Sequence, residues 1–276
     1  MHSLAVTGVS PRRRLSQNFL LSSSVARRIA EAVGAAEGDV VVEIGAGTGA
    51  LTRHLVTLPA AQVVAIEVDR RAVEHLRTAF GDAPSLRIVE ANVLDVRLDS
   101  LDLPDGPIRV VGNIPYHLTG PIVFWLYEQA ALVRRIVLMV QKEVAARIVA
   151  KPGSKTYGIL SVATALVASS ARVLFDVPPG AFLPRPKVTS SVVAIECNGR
   201  SLVEPELART MRLVKAAFNQ RRKKLRNALA RYLEESVGAD WERFVPASLL
   251  DRRAEELSVA DFRMLADVVH RGGEAI

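Results

Sequence analysis

Cysteine is nearly absent from this sequence, since Cys197 is the only one in 276 residues. A single thiol excludes a disulfide within the chain and fits a reducing compartment. The chain also lacks a run of about eighteen or more apolar residues, so a membrane span is not expected. Residues 1–10 contain no apolar core of the kind that marks a secretory signal. These absences together predict a cytoplasmic protein.

The composition shows none of the biases that mark disordered or collagen-like chains. Hydrophobic residues make up 49% and charged residues 24% of the sequence, which is usual for globular proteins. The length suffices for one large domain with a hydrophobic core and a small appendage. The net charge of +7 favours a polyanionic partner, although a basic protein without such a partner would carry the same charge.

Between about residues 25 and 145, short apolar runs alternate with segments of helical length, such as Arg70–Phe80 and Thr119–Ala130. This alternation predicts an α/β fold with a mostly parallel sheet. Two further runs can form an antiparallel edge, which makes seven strands. The predicted strands are Val40–Ile44, Gln62–Ile66, Leu86–Val89, Ile108–Val111, Ile136–Val140, Ala171–Asp176 and Val188–Glu196.

A break in the pattern follows the last predicted strand. Asn198 and Gly199 mark a turn, Pro205 follows, and the remaining sequence has a helical pattern without a convincing strand. We therefore predict a large domain over residues 1–199 and a small all-helical domain over residues 200–276.

A glycine-rich loop, residues 45–50, directly follows the first predicted strand. Its glycines allow a tight turn and a close approach of a ligand to the backbone. Glu67 ends the second strand, twenty residues beyond Gly47, where a carboxylate can accept both ribose hydroxyls of an adenosine moiety. The same spacing occurs in dinucleotide-binding proteins, so the loop alone fits a dehydrogenase or a methyltransferase. Glu43 favours a methyltransferase, because an acidic group there can face the cationic, amine-bearing end of S-adenosyl-L-methionine.

The fourth predicted strand ends in the segment Asn113–Tyr116, which we expect beside the glycine-rich loop because ligands bind at the carboxyl ends of parallel strands. The amine of adenine is a poor nucleophile, since its lone pair is delocalised into the ring. The side-chain carbonyl of Asn113 and a neighbouring backbone carbonyl can accept both amine hydrogens and so favour a pyramidal nitrogen. Pro115 stiffens the turn, and Tyr116 offers a stacking face worth about 1–3 kcal/mol to a flipped base. The segment predicts methyl transfer to adenine by in-line positioning.

Most of the chain resembles one family, the KsgA-type small-subunit ribosomal RNA adenine dimethyltransferases. Each matching segment is moderately specific, and their order and spacing together are very specific. The segments are Leu15–Leu20, Glu43–Gly49, Glu67, Asn113–Tyr116, Met139–Val144, Gly153–Gly158 with Leu160 and Ser161, Gly180–Val188 and Ala217–Lys223.

The resemblance implies a Rossmann-like methyltransferase domain that uses S-adenosyl-L-methionine and no metal. It implies dimethylation of two adjacent adenines in a hairpin loop near the 3′ end of small-subunit rRNA, within an assembling 30S-type subunit. Unstacked loop bases are the ones that a protein can splay out and read. We expect the protein to act as a monomer.

The resemblance also assigns roles to individual residues. Gln17, Asn18 and Leu20 would close over the cofactor, and Gly45 would contact its amino-acid end. Asn92 stands where the family usually has an aspartate that accepts a hydrogen bond from the adenine amine of the cofactor, and an amide oxygen can accept the same bond.

Two residues would act on the target base. Phe182 would help to hold it opposite Tyr116. Ile114 replaces the commoner leucine, which should matter little because that residue acts through its backbone.

A basic stretch occurs in the predicted helical domain. Between Arg209 and Arg231 there are nine lysines and arginines and no acidic residue. The absence of a balancing acid favours an RNA-binding face over an ordinary solvated one, and Arg12–Arg14 can add a second contact. The densest part of the stretch is Arg221, Arg222, Lys223, Lys224 and Arg226.

Other functions share parts of this pattern. Large-subunit rRNA adenine methyltransferases of the macrolide-resistance type have the same fold and a similar motif, but the segments 155–158 and 217–225 favour the small-subunit family. An NAD-dependent oxidoreductase would need a hydride-transfer acid or base near the fourth strand, and none is found there. A ribosome-assembly role beside catalysis stays open.

Overall fold

The computed structural model describes residues 18–81, 83–243 and 245–274. Gln17 and Arg12–Arg14, to which the sequence assigns contacts, lie outside the described residues. The strands are β1 (Phe19–Leu20), β2 (Val40–Ile44), β3 (Gln62–Glu67), β4 (Leu86–Glu90), β5 (Ile108–Asn113), β6 (Val133–Gln141), β7 (Ala168–Val177), β8 (Phe182–Leu183) and β9 (Ser190–Cys197). The helices are α1 (Ser23–Val33), α2 (Thr52–Leu55), α3 (Arg70–Phe80), α4 (Thr119–Glu128), α5 (Lys142–Ile148), α6 (Ile159–Val167), α7 (Pro205–Asn219), α8 (Leu225–Ala228), α9 (Ala230–Val237), α10 (Ala247–Leu250) and α11 (Val259–Glu274).

Seven of these strands form one mixed sheet in the order β4-β3-β2-β5-β6-β9-β7. The strands from β4 to β6 are parallel, and β9 is antiparallel to β6. Every residue of β2 is buried, as expected for a parallel strand covered on both faces. The prediction of a seven-stranded, mostly parallel sheet is therefore confirmed.

The strand order reverses between β2 and β5, because the chain moves outward through β3 and β4 and then returns to the other side of β2. In sheets of this kind, ligands bind at the carboxyl ends of the strands at such a switch point. Ile44 at the end of β2 pairs with Ile66 of β3 and with Gly112 of β5. The glycine-rich loop and the Asn113 segment thus leave the sheet side by side.

Local sequence explains the helix that follows β3. The carboxylate of Asp69 caps α3 by accepting a hydrogen bond from the backbone N–H of Arg71 at 3.2 Å. Ala72, Val73 and Leu76 recur at helical spacing and are buried. The observed bounds of α3 equal the predicted ones, whereas α4 ends at Glu128, two residues before its predicted end.

The chain divides into two compact units, and the predicted boundary needs a correction. The sheet unit contains residues up to 145 and residues 169–199, whereas residues 146–168 belong with 200–276 in the helical unit. Hydrogen bonds within the helical unit explain this assignment, since the Tyr157 hydroxyl donates to the carbonyl of Leu257 at 2.9 Å. The backbone N–H of Gly153 likewise donates to the carbonyl of Glu255 at 2.7 Å. The first unit is therefore not the continuous segment 1–199.

Aromatic rings and three long helices form the core of the helical unit. Phe218 on α7 packs edge-on against Tyr157, with ring centroids 6.1 Å apart, and in a tilted arrangement against Phe262 on α11, with centroids 6.0 Å apart. Helix α11 packs against both α7 and α9. Among the helices of the described residues, none has the length and apolar composition needed to cross a membrane.

Candidate active site

A cleft in the sheet unit lies at the carboxyl ends of the strands around the switch point. Its volume is about 120 Å³. Apolar side chains such as Val93 and Ile122, which the sequence did not single out, line it as well. Nine residues predicted from the sequence line the cleft: Asn18, Gly45, Gly47, Glu67, Asn92, Asn113, Ile114, Pro115 and Tyr116.

The glycine-rich loop adopts a backbone conformation that needs glycine. Gly47 has a φ of +54° and Gly49 a φ of +74°, in the left-handed region. A β-carbon on Gly49 would lie 2.5 Å from the ring of Phe80, and one on Gly47 would lie 3.3 Å from the ring of Phe19. The loop therefore presents bare backbone to the cleft.

Glu67 is a buried carboxylate whose position is fixed by three backbone N–H groups. One oxygen, Oε1, accepts from Val68 at 2.9 Å and Asp69 at 2.8 Å, and Oε2 accepts from Gly47 at 2.8 Å. Because each carboxylate oxygen has about two acceptor positions, Oε2 retains capacity for a ligand hydroxyl. The residue thus connects the end of β3 to the glycine-rich loop and lines the cleft.

Asn113 ends β5, and its amide orientation is fixed by a contact across the cleft. The side-chain Nδ2 donates to the backbone carbonyl of Asn18 at 3.1 Å, which leaves Oδ1 as an acceptor. The next carbonyl, that of Ile114, makes no hydrogen bond within the part of the chain that the structure describes. The carbonyl of Pro115, in contrast, accepts from the N–H of Leu118 at 3.0 Å and is engaged. Two acceptors, Asn113 Oδ1 and the Ile114 carbonyl, are therefore available together.

Tyr116 lines the cleft, and a hydrogen bond fixes the hydroxyl end of its ring. Its hydroxyl lies 2.7 Å from the Oγ of Ser190, a buried residue that begins β9. Burial raises the pKa of Tyr116 above its usual value, and the hydrogen bond with Ser190 opposes this only in part. The phenol is therefore neutral at physiological pH, which suits a surface for stacking. Sequence reasoning missed Ser190, because no local signal connects it with Tyr116.

Known proteins identify the family. A sequence profile described as ribosomal RNA adenine dimethylase matches residues 8–267. The chain belongs to this family. Membership in the ribosomal RNA adenine dimethylase family confirms the predicted enzyme class and cofactor, an adenine dimethyltransferase that uses S-adenosyl-L-methionine.

Relatives and solved structures agree with this family. The chain is 42% identical to the ribosomal RNA small subunit methyltransferase A of Magnetococcus marinus, over 94% of this chain and 92% of that protein. It is also 42% identical to the protein of the same name from Cupriavidus taiwanensis, over 96% of each. A dimethyladenosine transferase from Plasmodium falciparum has the same fold, with a TM-score of 0.78 and 24% identity over 92% of this chain and 98% of that one. The 23S rRNA methyltransferase ErmE has a TM-score of 0.67 and 26% identity over 91% and 99%.

Three predicted site residues of this family member do not line the cleft. Leu20 and Phe182 pair with each other in the two-stranded sheet of β1 and β8, and both are buried in the core. Their pairing supports Asn18 and Phe19, which do line the cleft. The contact of Phe182 with a target base stays a prediction.

Glu43, the third of these residues, lies inside the sheet unit. Its carboxylate is 1% exposed and accepts a hydrogen bond from the hydroxyl of Thr52 at 2.6 Å. Burial raises the pKa of Glu43 to about 7, the Thr52 hydrogen bond lowers it, and the nearby charge of Glu67 raises it further. Its contact with the cofactor stays a prediction.

Asn92 lines the cleft as the cap of a short 3₁₀ turn, Val93–Asp95. Its Nδ2 donates to the carboxylate of Asp95 at 3.0 Å, and its Oδ1 accepts from the N–H of Leu94 at 3.3 Å. Because Asp95 can only accept, it fixes which end of the amide is the acceptor. The chain thus has a carboxylate beside the position where the family usually has one.

The basic segment 221–226 of the helical unit differs from its sequence interpretation. Arg221 forms an ion pair with Glu255 at 2.7 Å. Lys224 and Arg226 share Asp251, at 3.3 Å and 3.2 Å. The premise that no acid balances this cluster is therefore wrong, because the acids come from the distant stretch that follows α9.

Two of the five cluster residues keep their charge available. Arg222 and Lys223 are exposed and make no ion pair within the described ranges 18–81, 83–243 and 245–274. The net positive charge of the segment is consequently smaller than its sequence indicates, and it is concentrated at these two side chains.

Proposed function

We propose that this enzyme dimethylates the N6 amines of two adjacent adenines in the 3′-terminal hairpin loop of small-subunit (16S) rRNA, within an assembling 30S-type subunit. The observation that carries the proposal is the pair of acceptors, Asn113 Oδ1 and the Ile114 carbonyl, at the edge of the cleft. The small-subunit assignment is supported by relatives of 42% identity. The enzyme acts as a monomer in the cytoplasm, where such subunits assemble.

The residues of the cleft fit S-adenosyl-L-methionine. Bare backbone at Gly45 and Gly47 leaves room for its amino-acid end, since a β-carbon on Gly45 would meet no atom within 4 Å. Oε2 of Glu67 would accept from a ribose hydroxyl, and Oδ1 of Asn92 would accept from the adenine amine. By the family resemblance, Gln17, Asn18 and Leu20 would close over the cofactor. The bound cofactor supplies a methyl group on a positively charged sulfur.

The chain's own groups prepare the nucleophile. Asn113 Oδ1 and the Ile114 carbonyl would accept the two amine hydrogens, which would favour a pyramidal nitrogen with its lone pair available to the methyl group that the cofactor would supply. Because Asn18 holds the other end of the Asn113 amide, the acceptor is oriented before the base arrives, and little reorganisation is needed. Tyr116 stacks on the flipped base, and Pro115 fixes the turn between them. The methylated amine is acidic and loses its proton to water.

Mapping the product tests this proposal. The protein is incubated with labelled cofactor and small subunits from cells that lack this modification, and the modified bases are located by primer extension and mass spectrometry. We expect two neighbouring dimethyladenines in the 3′-terminal loop, and none in large subunits treated in parallel. Modification of large-subunit RNA instead would favour the macrolide-resistance type, whose representative ErmE shares the fold.

Glu67→Gln should weaken cofactor binding about tenfold or more. The neutral amide has one acceptor oxygen, so it cannot hold the loop at Gly47 and the end of β3 at Asp69 while also binding a ribose hydroxyl. Hydrogen bonds to a charged acceptor contribute about 1.5–3 kcal/mol each, which corresponds to a change of this size. Titration calorimetry with the cofactor product, S-adenosylhomocysteine, measures the affinity.

Glu90→Gln is the matched control for this prediction. Glu90 pairs with Glu67 in the sheet register, at the carboxyl end of the neighbouring strand β4, but it is exposed and does not line the cleft. The same charge is removed a short distance away. Equal affinities of the two variants would contradict the assignment of Glu67 to the ribose.

A further inference from the structure

A depression in the helical unit combines two arginines with polar side chains from three helices. Arg209 and Arg212 come from α7, Tyr232 and Ser236 from α9, and His270 from α11, with Ala266 and Val269 also lining it. Its volume is about 380 Å³, many times the roughly 10–15 Å³ that a single water molecule needs on the same measure. The depression can therefore hold a hydrated phosphate group, and none of its lining residues is acidic.

Arg209 carries a buried donor without a partner. Its Nε is inaccessible to solvent and has no hydrogen-bond acceptor among the residues that the structure describes. Buried polar groups are nearly always paired, and an unpaired one is unfavourable. The unpaired Nε is itself buried and does not reach the depression, but it shows that the hydrogen bonding of the Arg209 side chain, which lines the depression, is incomplete within the described residues.

The charges of Arg209 and Arg212 are also unbalanced, in contrast to others in the same basic stretch. Neither arginine forms an ion pair with a carboxylate among the described residues, whereas at least four of the nine cations between residues 209 and 231 do. These four are Arg221, Lys224, Arg226 and Arg231. Positive charge without an ion-pair partner therefore lies at the beginning of the stretch, where basic residues are most widely spaced, as well as at residues 222–223.

The chemistry of the lining selects an anion with several acceptor oxygens. A guanidinium group presents its donors in a planar fork that matches phosphate, and two such groups one helical turn apart can bind one phosphate together. Ser236 is not a further donor, because its hydroxyl donates to the backbone carbonyl of Tyr232 at 2.7 Å. The phenol of Tyr232 can donate a third hydrogen bond.

We propose that this depression is a binding site for a backbone phosphate of RNA, formed by Arg209, Arg212 and Tyr232. The phosphate chemistry follows from these side chains, and RNA as its source rests on the proposed function. The site is distinct from the cleft of the sheet unit and from the segment 221–226. It gives the helical unit a defined contact in addition to the general attraction of its net charge.

The salt dependence of RNA binding tests the proposal. Affinity for a small-subunit rRNA fragment that contains the 3′-terminal hairpins is measured by fluorescence anisotropy over a series of salt concentrations. For Arg209→Gln, Arg212→Gln and the double variant we expect weaker binding, and the double variant should lose about 0.7–0.9 from the slope of log affinity against log salt, the value of one phosphate contact. Tyr232→Phe should weaken binding without changing the slope, since it removes a hydrogen bond but no charge.

Arg231→Gln is the control matched to the Arg212→Gln single variant, because each removes one positive charge from the same unit. Arg231 is 91% exposed and paired with Glu235, so its slope should equal that of the unaltered protein. If Arg212→Gln changes the slope no more than this control does, and the double variant keeps the slope of the unaltered protein, the site does not exist. Arg212 is exposed, so its single variant is readable even if substitution of Arg209 impairs folding.

Binding of inorganic phosphate tests whether the site exists independently of whether RNA occupies it. It should raise the melting temperature of the unaltered protein more than that of the double variant, whichever RNA the enzyme methylates. Phosphate stabilisation without a change in RNA slope would overturn RNA as the occupant, and absence of both effects would overturn the site. A different methylation target would instead contradict the proposed function and leave the phosphate result unchanged.

Discussion

Asn113→Ala is expected to lower kcat for methyl transfer about 10²–10³-fold, the usual effect of removing one preorganised hydrogen-bonding group from an active site. The substitution removes the acceptor Oδ1 and also frees the Asn18 carbonyl, which now accepts from Nδ2 at 3.1 Å. The adenine nitrogen then keeps its planar form more of the time, and its lone pair is directed poorly. RNA affinity should stay near its normal value, because Asn113 contributes no charge.

Single-turnover methylation of unmodified small subunits, with the cofactor at saturating concentration, measures this effect. Asn92→Ala is the matched variant, since it shortens an asparagine of the same cleft by the same atoms. It should weaken cofactor binding and leave the rate at saturation nearly unchanged. If Asn113→Ala retained the normal rate, or if both variants changed only cofactor affinity, the role of Asn113 in activating the amine would be wrong.

Local patterns predicted the parts of the molecule that depend on short stretches of sequence. The bounds of α3, the seven strands of the large sheet and the neighbouring positions of the glycine-rich loop and the Asn113 segment follow from apolar spacing and from the geometry of parallel sheets. The short strands β1 and β8 were not predicted. The assignment of residues 146–168 to the helical unit could not be predicted in this way. It depends on hydrogen bonds such as that of Tyr157 with Leu257, whose partners are separated by 100 residues.

Ion pairs between residues distant in sequence also could not be predicted from local patterns. The sequence around Arg221 contains no acid and so predicts a cluster without ion pairs, yet Glu255 and Asp251, more than twenty residues further along the chain, pair with it. Conversely, the sequence gives no reason to separate Arg209 and Arg212 from the rest of the basic stretch. The structure separates them because the acids that pair with the later cations are absent from the lining of their depression.

Glu43→Gln is expected to remove most of the pH dependence of stability that this buried carboxylate causes. Burial raises its pKa to about 7 from the ordinary value of 4.5, so the folded state binds the proton more tightly than the unfolded state does. The stabilisation from that proton is complete below pH 4.5 and is lost as the pH rises to 7, above which it stays absent. This pKa shift corresponds to about 3 kcal/mol. In Glu43→Gln the free energy of unfolding should therefore change with pH by about that much less.

Denaturant unfolding at pH 4.5 to 8 measures how the free energy of unfolding changes with pH. The buried amide of Glu43→Gln changes this free energy by the same amount at every pH, so it does not affect the slope. Thr52→Val provides an opposite control, because it removes the 2.6 Å hydrogen bond that lowers the pKa of Glu43 while keeping the side-chain shape. Its slope should become steeper and extend to higher pH. Parallel curves for Glu43→Gln and the unaltered protein would show that Glu43 is already ionised when the protein is folded.

The ionisation of Glu43 also tests whether this carboxyl group faces the cationic end of the cofactor. At pH 6 the carboxyl group is mostly protonated before binding, since its pKa is about 7. An ammonium group brought close to it would lower that pKa, so binding would release a proton. Calorimetry in two buffers of different ionisation enthalpy detects this proton, and Glu43→Gln should abolish it. If no proton is released by the unaltered protein, Glu43 affects the cofactor only through the fold of the loop that it underlies.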